Sequence, residues 1–401
     1  MLFLNYIFQA LEYLIFIYLG FTTCYLFIFG LAGGFRYRPK LLTVTVRRRI
    51  AVLIPGYKED NVIVETARES LKQTYPANLF DVFIIADSFR PETIKDLRSM
   101  NVQVIEVSFE KSSKAKALNN AMSLISPGYE IAVVLDADNF MAPDFLERIN
   151  EAFEQGHQVV QGHRVAKNIN TRFAILDAIS EEINNHIFRK GHRVLGLSSA
   201  LIGSGMALKY GLYKEIMLEV TAHGEDKELE VKLFMNGIKI EYLHHALVFD
   251  EKVQEVEIFA KQRKRWLSAQ LVSFTNYFGI GLKQLFFKGN IDLFDKLIQM
   301  ILPPRVIHLG SITALLLIDA LRLVIPPLDT WLSIPLSAWM ILWSLTIVAL
   351  LISVPRKYYN MNTLLALKEL PGAFITMFSL LFKLKGADKN FIHTTHGTTN
   401  K

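Results

Sequence analysis

The chain has 401 residues, 51% of them apolar, a positive mean hydropathy and a net charge of +6. That length suits two domains, or one domain with a membrane part, and that apolar content excludes disorder for the bulk of the chain. The single cysteine, Cys24, lies in an apolar run and excludes a disulfide scaffold.

Residues 13–35 carry no charged side chain. As a helix they span roughly 34 Å, enough for a hydrocarbon core of about 30 Å. A cleaved signal peptide needs a basic leading region, and residues 1–12 hold no Lys or Arg. Residues 1–35 are therefore expected to form an uncleaved transmembrane helix. Arg36, Arg38, Lys40, Arg47, Arg48 and Arg49 follow it within 36–49 and match the whole basic excess. This cluster reads as a juxtamembrane linker and not as a nucleic-acid patch, so no nucleic-acid partner is expected. The positive-inside rule then puts the N-terminus outside and residue 36 onward in the cytosol.

Residues 50–269 change character. Short, β-branched-rich runs at 50–54, 81–86, 102–107 and 131–135 alternate with helix-like stretches at 59–73, 91–99 and 114–125. The alternation predicts βαβ units and a buried parallel sheet. In such sheets ligands bind at the carboxyl ends of the strands. Three of those ends carry carboxylates: Glu59 and Asp60 after the first run, Asp87 after the second, Asp136 and Asp138 after the fourth. Two aspartates at i and i+2 repel each other unless a cation lies between them, and hard divalent ions such as Mg²⁺ or Mn²⁺ favour that setting. No Walker-type loop and no Gly-x-Gly-x-x-Gly follows the first strand, so P-loop hydrolysis and dinucleotide redox chemistry are unsupported.

The remaining chain is membrane-like. Residues 270–300 mix Phe and Leu with Lys283, Lys288, Asp292, Asp295 and Lys296, as interfacial helices do. Runs at about 303–325 and 331–354, joined by a turn at 325–330, predict a transmembrane hairpin within 301–355, followed by Arg356 and Lys357. Asp319 and Arg322 sit three residues apart on one helical face and read as an ion pair or as a polar lining. Residues 362–385 read as an interfacial helix, with a further spanning helix as the alternative. The tail to residue 401 carries Thr394, Thr395 and His396.

Seven motifs now stand in one order: Val52–Glu59 (Val-Leu-Ile-Pro-Gly-Tyr-Lys-Glu), Asp87, Lys114–Asn119, Leu135–Asp138, Gly203–Gly205, Gly224–Asp226 and Gln262–Trp266. The series resembles the membrane-embedded members of glycosyltransferase family 2, which include cellulose, chitin, hyaluronan and poly-N-acetylglucosamine synthases. The resemblance implies an α/β fold: a GT-A nucleotide-sugar-binding domain inserted between transmembrane helices, with amphipathic interface helices. It implies donor contacts from Pro55, Tyr57, Glu59, Asp87, Lys114, Asn119, Asp136 and Asp138. Asp138 is the implied principal ligand of Mg²⁺ or Mn²⁺, with Asp136 at the ribose or the ion. Asp226 is the implied catalytic base. Gly203, Ser204, Glu225, Gln262, Arg265 and Trp266 are implied around the acceptor and diphosphate, and Thr394, Thr395 and His396 in a gating segment. Two positions depart from the family: Lys58 replaces an asparagine, and Ser113 a glycine. The expected activity is inverting transfer from a nucleotide sugar, of UDP type, to a β-linked polysaccharide at a bacterial inner membrane, with a possible export partner. Single transfer to a lipid acceptor is the alternative within the class, and a non-catalytic membrane scaffold the alternative outside it. Isolated His163, His186 and His245 are read as structural.

Overall fold

The computed structural model of the protein describes residues 2–37, 45–220, 224–254, 256–325 and 331–381. Helix α1 (Leu2–Gly34) leads into strand β1 (Ile50–Tyr57), then α2 (Ile63–Ser70), β2 (Phe80–Asp87), α3 (Pro91–Arg98), β3 (Gln103–Val107), α4 (Lys114–Leu124) and β4 (Ile131–Val134). β5 (Phe140–Met141), α5 (Phe145–Glu154), β6 (Val159–Ala166) and α6 (Arg172–Asn184) follow. A π-helical turn (Asn185–Gly191) then joins α6 to the short α7 (His192–Val194). β7 (Met206–Lys209), α8 (Tyr210–Leu218), α9 (Glu225–Met235) and β8 (Ile240–Asp250) complete the sheet domain. Six α-helices end the described chain: α10 (Val256–Lys288), α11 (Ile291–Ile301), α12 (Arg305–Ala320), α13 (Leu336–Ile352), and α14 (Met361–Ala366) and α15 (Leu370–Leu381), the last two joined by a 3₁₀ turn.

The sheet has eight strands in the order β3-β2-β1-β4-β7-β6-β8-β5. The four runs read from the sequence are its parallel half, with Ile50 opposite both Phe80 and Ile131. The whole sheet is mixed rather than parallel: β7 runs antiparallel to β4 and β6, and β5 antiparallel to β8. β6 runs in the same direction as β4, which it follows through α5, and pairs parallel with β8, so β7 and β5 are the strands that oppose the rest.

Alternate residues of the parallel strands face two helical layers. Ala51, Leu53, Phe83 and Val134 pack toward α4, α8, α9 and α11, against Leu118, Tyr213, Leu229 and Leu297. Ile50, Val52, Ile84 and Val133 pack toward α2, α3 and α5, against Ile63, Leu97 and Phe145. Burial on both faces is why these strands read as continuous apolar runs.

Among the described residues three helices are long and apolar enough to cross a membrane: Phe3–Gly34, Arg305–Leu323 and Met361–Leu381; α13 is a shorter apolar helix of 17 residues. The segment read chiefly as interfacial at 362–385 thus reaches spanning length. One helix, α10, runs unbroken through residues 269 and 270, so the division drawn there falls inside an element. The C-terminal half of α1 is fixed to the sheet domain and to α11. The Phe29 ring stacks on His192 at 3.8 Å, Tyr25 Oη donates to Asp295 at 2.7 Å, and His186 Nε2 lies 2.8 Å from the Gly30 carbonyl. A Cβ on Gly191 would collide with the Phe29 carbonyl, so only glycine permits this approach. Between the apolar helices, Thr23 Oγ1 meets His308 Nε2 at 3.1 Å and Thr346 Oγ1 at 3.0 Å, the interhelical pairing expected where water is absent. Asp319 and Arg322 form an ion pair, and Arg322 also donates to the Leu332 and Ile334 carbonyls.

Candidate active site

The ends of β1, β2 and β4 open on one cavity of about 1710 Å³. Pro55, Tyr57, Glu59 and Asp87 line it from β1 and β2. Both strands leave the sheet through a left-handed residue that is not glycine, Lys58 at φ 55° and Ser88 at φ 60°. The two turns are stitched together: Lys58 N–H donates to the Asp87 carbonyl at 3.1 Å, and Ser88 Oγ donates to Asp87 Oδ1 at 2.9 Å. Local strain of this kind persists where surrounding contacts hold it, here at the edge of the cavity.

Lys114 opens α4, whose start is capped by Ser113 accepting from Lys116 N–H at 3.2 Å. The serine that replaces the family glycine therefore supplies a helix cap. Lys114 Nζ reaches Asp136 Oδ1 at 2.5 Å, the Gly203 carbonyl at 2.7 Å and Glu225 Oε1 at 3.8 Å. Burial pulls its pKa down, but Asp136 and Glu225 outweigh burial and hold it above the usual lysine value. Asp136 and Asp138 both line the cavity. Behind them Ser204 Oγ accepts from Asp136 N–H at 2.9 Å and donates to Asn139 Oδ1 at 2.6 Å. Asn139 Nδ2 holds Asp138 Oδ1 and Asp250 Oδ1, each at 3.0 Å.

Two of the residues implied for ligand contact stand outside the cavity. Ser204 is fully buried and orients the Asp136 turn. Asn119 sits on α4 and donates to the Met217 carbonyl at 2.8 Å, tying α4 to α8.

Asp226 is the second residue of α9, which starts after Gly224 at φ 117°. Asp226 Oδ1 accepts from Lys227 N–H at 2.9 Å, and Oδ2 lies 3.4 Å from Lys227 Nζ. Gly203, at φ 78°, passes close: a Cβ there would sit 3.4 Å from the Asp226 Cβ. Burial raises the Asp226 pKa, but Lys227 and Lys114 more than offset it and keep the carboxyl below the ordinary aspartate value. Its neighbour Glu225 goes the other way, pushed up by burial against the pull of Lys114. The pair thus offers one carboxylate held ionised beside one held toward neutrality, both on the cavity wall.

Gln262, Arg265 and Trp266 project from α10 into the same cavity. Trp266 is 39% exposed, and the Arg263 guanidinium lies over its ring at 4.7 Å while pairing with Asp177 at 2.8 Å. Thr394, Thr395 and His396 lie outside the described residues.

Sequence reasoning missed a buried charge network at the ends of β6 and β8, beside the Asp138 turn. Arg164 on β6 bridges Glu181 at 3.1 Å and Asp250 at 3.5 Å; Arg189 also meets Glu181 at 3.1 Å, and Lys252 meets Asp250 at 2.7 Å. Glu181 is raised by burial but held far below the usual carboxylate range by Arg164 and Arg189. These charges come from separate elements and form no motif. The signal available was Arg164 inside β6 (Val-Val-Gln-Gly-His-Arg-Val-Ala), a strand buried over nearly its whole length, since an unneutralised charge there would be costly. The three histidines read as structural include His163, which lies 3.0 Å from Glu182 and 2.9 Å from His244, and His186 on the α1 backbone.

The cavity then leaves the sheet domain. Past Arg305 its lining is mainly apolar, formed by Leu309, Ala314, Leu317, Leu350, Phe374 and Met377 on α12, α13 and α15, with Thr313 and Asn360 among them. One continuous space therefore joins the strand-end carboxylates to a furrow between the membrane-length helices.

Asp136 and Asp138 can hold a divalent cation only together with ligands from substrate. Among the described residues no cluster of three or more His, Cys, Asp or Glu forms a closed metal site. One Asp136 oxygen already faces Lys114. Mg²⁺-like ions accept this: they bind through one or two carboxylates and complete their shell with phosphate oxygens and water. The donor set fits such an ion.

Residues 47–269 match the family described as Glycosyltransferase like family 2. Among relatives, the probable glycosyltransferase YdaM of Bacillus subtilis is 24% identical over 233 residues, covering 54% of this chain and 54% of that one. Glucans biosynthesis glucosyltransferase H of Rhodopseudomonas palustris is 26% identical over 161 residues, covering 36% of this chain and 22% of that one. The chain thus spans about half the length of the first relative and less of the second. Among solved structures, the mannosyltransferase PcManGT of Pyrobaculum calidifontis, in complex with GDP-Man and Mn²⁺, superposes with a TM-score of 0.55 at 15% identity. It covers 86% of this chain and 98% of that one, which supports the fold.

Proposed function

Starting from a chain that belongs to glycosyltransferase-like family 2, we propose an inverting, divalent-metal-dependent transfer of one sugar from a nucleotide donor to a lipid-borne acceptor at the membrane surface. The observation that carries this is the single cavity running from Asp136 and Asp138 to the apolar furrow between α12, α13 and α15. An acyl or other hydrocarbon chain fits that furrow, and its headgroup then lies beside Asp226.

In this reading Glu59 and Asp87 face the nucleoside. Asp138 holds the cation with Asp136 beside it, as Mn²⁺ accompanies GDP-Man in the Pyrobaculum enzyme. That cation supplies charge stabilisation for the departing nucleoside diphosphate without a proton. Lys114 keeps Asp136 in place and adds positive charge where the diphosphate forms. Asp226 takes the proton from the acceptor hydroxyl as its oxygen bonds to the anomeric carbon. The nucleoside diphosphate leaves from the opposite face with the bonding electron pair, so the centre inverts. The Asp226 carboxylate is suited to this because the neighbouring lysines keep it ionised. α1, α12 and α15 would anchor the enzyme across a bilayer with the sheet domain in the cytosol, in a bacterial inner membrane.

A second reading, elongation of a β-linked polysaccharide with export through a partner, draws on Trp266. Its partly exposed ring at the cavity wall is a platform for a sugar face. Product partition separates the two. Purified protein in lipid nanodiscs would be given Mn²⁺ and radiolabelled nucleotide sugars, and the mixture extracted with butanol. Label of single-sugar size in the organic phase supports lipid transfer; label in a long aqueous glycan overturns it in favour of the polymer.

A further inference from the structure

We infer that Arg305 is the headgroup anchor of this enzyme's acceptor, and that the acceptor lipid carries a phosphate. The inference rests on the lipid-acceptor reading above and names the substrate class within it.

Arg305 is the first residue of α12, at the level where the cavity lining turns from charged to apolar. Its guanidinium donates only to neutral groups: Nη1 to Asn184 Oδ1 at 2.6 Å, and Nη2 to the Ser180 carbonyl and Oγ, both at 2.8 Å. It has no carboxylate partner among the described residues. The charges acting on it are Arg263, Arg189 and the Glu181 carboxylate. Asp177 is taken by Arg263, and Glu181 is shared by Arg164 and Arg189. Among the described residues the ion pairs of this corner join Arg164, Arg189, Lys252 and Arg263 to Asp177, Glu181 and Asp250 and leave Arg305 outside them, while Asp136 also acts on Arg164. Arg305 is half-buried, and a cation withdrawn from water without a carboxylate partner among the described residues is stabilised by a ligand that brings an anion. Asn184 and Ser180 engage two guanidinium nitrogens and so fix the orientation of the fork, which suits a phosphate better than a lone ammonium would.

A phosphate at this position has two possible sources, the donor diphosphate and the acceptor headgroup. Arg305 is separated from Asp138 by a chain of contacts through Glu181, Arg164, Asp250 and Asn139. On its other side begins the furrow of α12, α13 and α15. That position assigns Arg305 to the lipid.

The test uses the full chain purified in detergent, with dioctanoyl phosphatidic acid and dioctanoylglycerol as probes of equal chain length. Wild type is expected to bind the phosphatidic acid about 10- to 100-fold more tightly, the usual range for hydrogen bonds to a charged group. Arg305→Gln should bring that ratio near one, while Arg305→Lys, which keeps the charge without the fork, should retain part of it. The dissociation constant of UDP or GDP with Mn²⁺ should stay within about twofold of wild type in both variants, the change expected from an uncontacted site. Equal binding of the two probes by wild type overturns the inference and leaves lipid transfer standing. Loss of nucleotide binding in Arg305→Gln, with the lipid ratio intact, reassigns the arginine to the donor and also overturns it. If neither probe binds and label enters an aqueous glycan, the lipid reading fails and takes this inference with it.

Discussion

Asp226→Asn isolates the proton transfer from everything else the residue does. Asparagine keeps the volume and an oxygen that can accept the Lys227 N–H bond, now 2.9 Å, at the start of α9. The charge balance shifts modestly, since Lys227 retains Glu230 at 3.9 Å and the Leu201 carbonyl at 3.3 Å. One charge-assisted contact at 3.4 Å is lost from a side chain 22% exposed, so folding stability should fall by only about 1–2 kcal/mol. Chemistry should suffer far more, by roughly 10²- to 10⁴-fold in transfer rate, equivalent to about 3–5 kcal/mol at the transition state. The pH profile adds a sign. The Asp226 pKa is depressed, so the carboxylate remains ionised below the ordinary aspartate value of about 3.9, and the acid limb of wild-type kcat/KM attributable to it should lie below that point. The assay is initial-rate transfer of labelled sugar across pH, with nucleotide binding measured in parallel. Donor affinity near wild type with transfer reduced at least a hundredfold supports the assignment. Transfer within threefold of wild type in Asp226→Asn would refute it.

Other perturbations read other parts of the site. Lys114→Met leaves Asp136 and Glu225 facing each other without their shared cation, and should destabilise the fold by about 2–4 kcal/mol; denaturant unfolding checks this, and Lys114→Met combined with Asp136→Asn should recover part of the loss. Trp266→Ala removes a flat stacking face worth about 1–3 kcal/mol, so the acceptor KM should rise about 5- to 100-fold while the donor KM holds. Lys58→Asn puts a residue tolerant of positive φ at φ 55° and should raise stability by about 0.5–1 kcal/mol in the same unfolding measurement.

Much of this arrangement was legible because it is local. The β1, β2 and β4 runs are buried on both faces, so the sequence displays them as uninterrupted apolar blocks, and the carboxylates at their ends stand out by contrast. Asp136, Asp138 and Asp226 line one cavity. What was not legible is non-local. β7 enters antiparallel between β4 and β6, a pairing set by tertiary packing and not by its own four residues. The π-turn at 185–191 brings Arg189 to Glu181, and α12 brings Arg305 to Ser180 and Asn184 across more than a hundred residues. No periodicity announces such meetings. Asn119 and Ser204 belong to motif segments that border ligand but hold backbone instead. The cavity's passage into the apolar furrow depends on how α12, α13 and α15 stack, which hydropathy alone does not specify.

The most direct test of the account is donor turnover. Purified full-length protein in lipid nanodiscs would be supplied with UDP- and GDP-sugars in turn, with Mn²⁺ or Mg²⁺, and release of nucleoside diphosphate followed together with sugar transfer. The account predicts that at least one donor is turned over, that a chelator stops the reaction, and that Asp138→Ala removes it even with metal restored, because several kcal/mol of charge stabilisation on the diphosphate are lost. Metal-independent turnover, or near-normal activity in Asp138→Ala, would contradict the account.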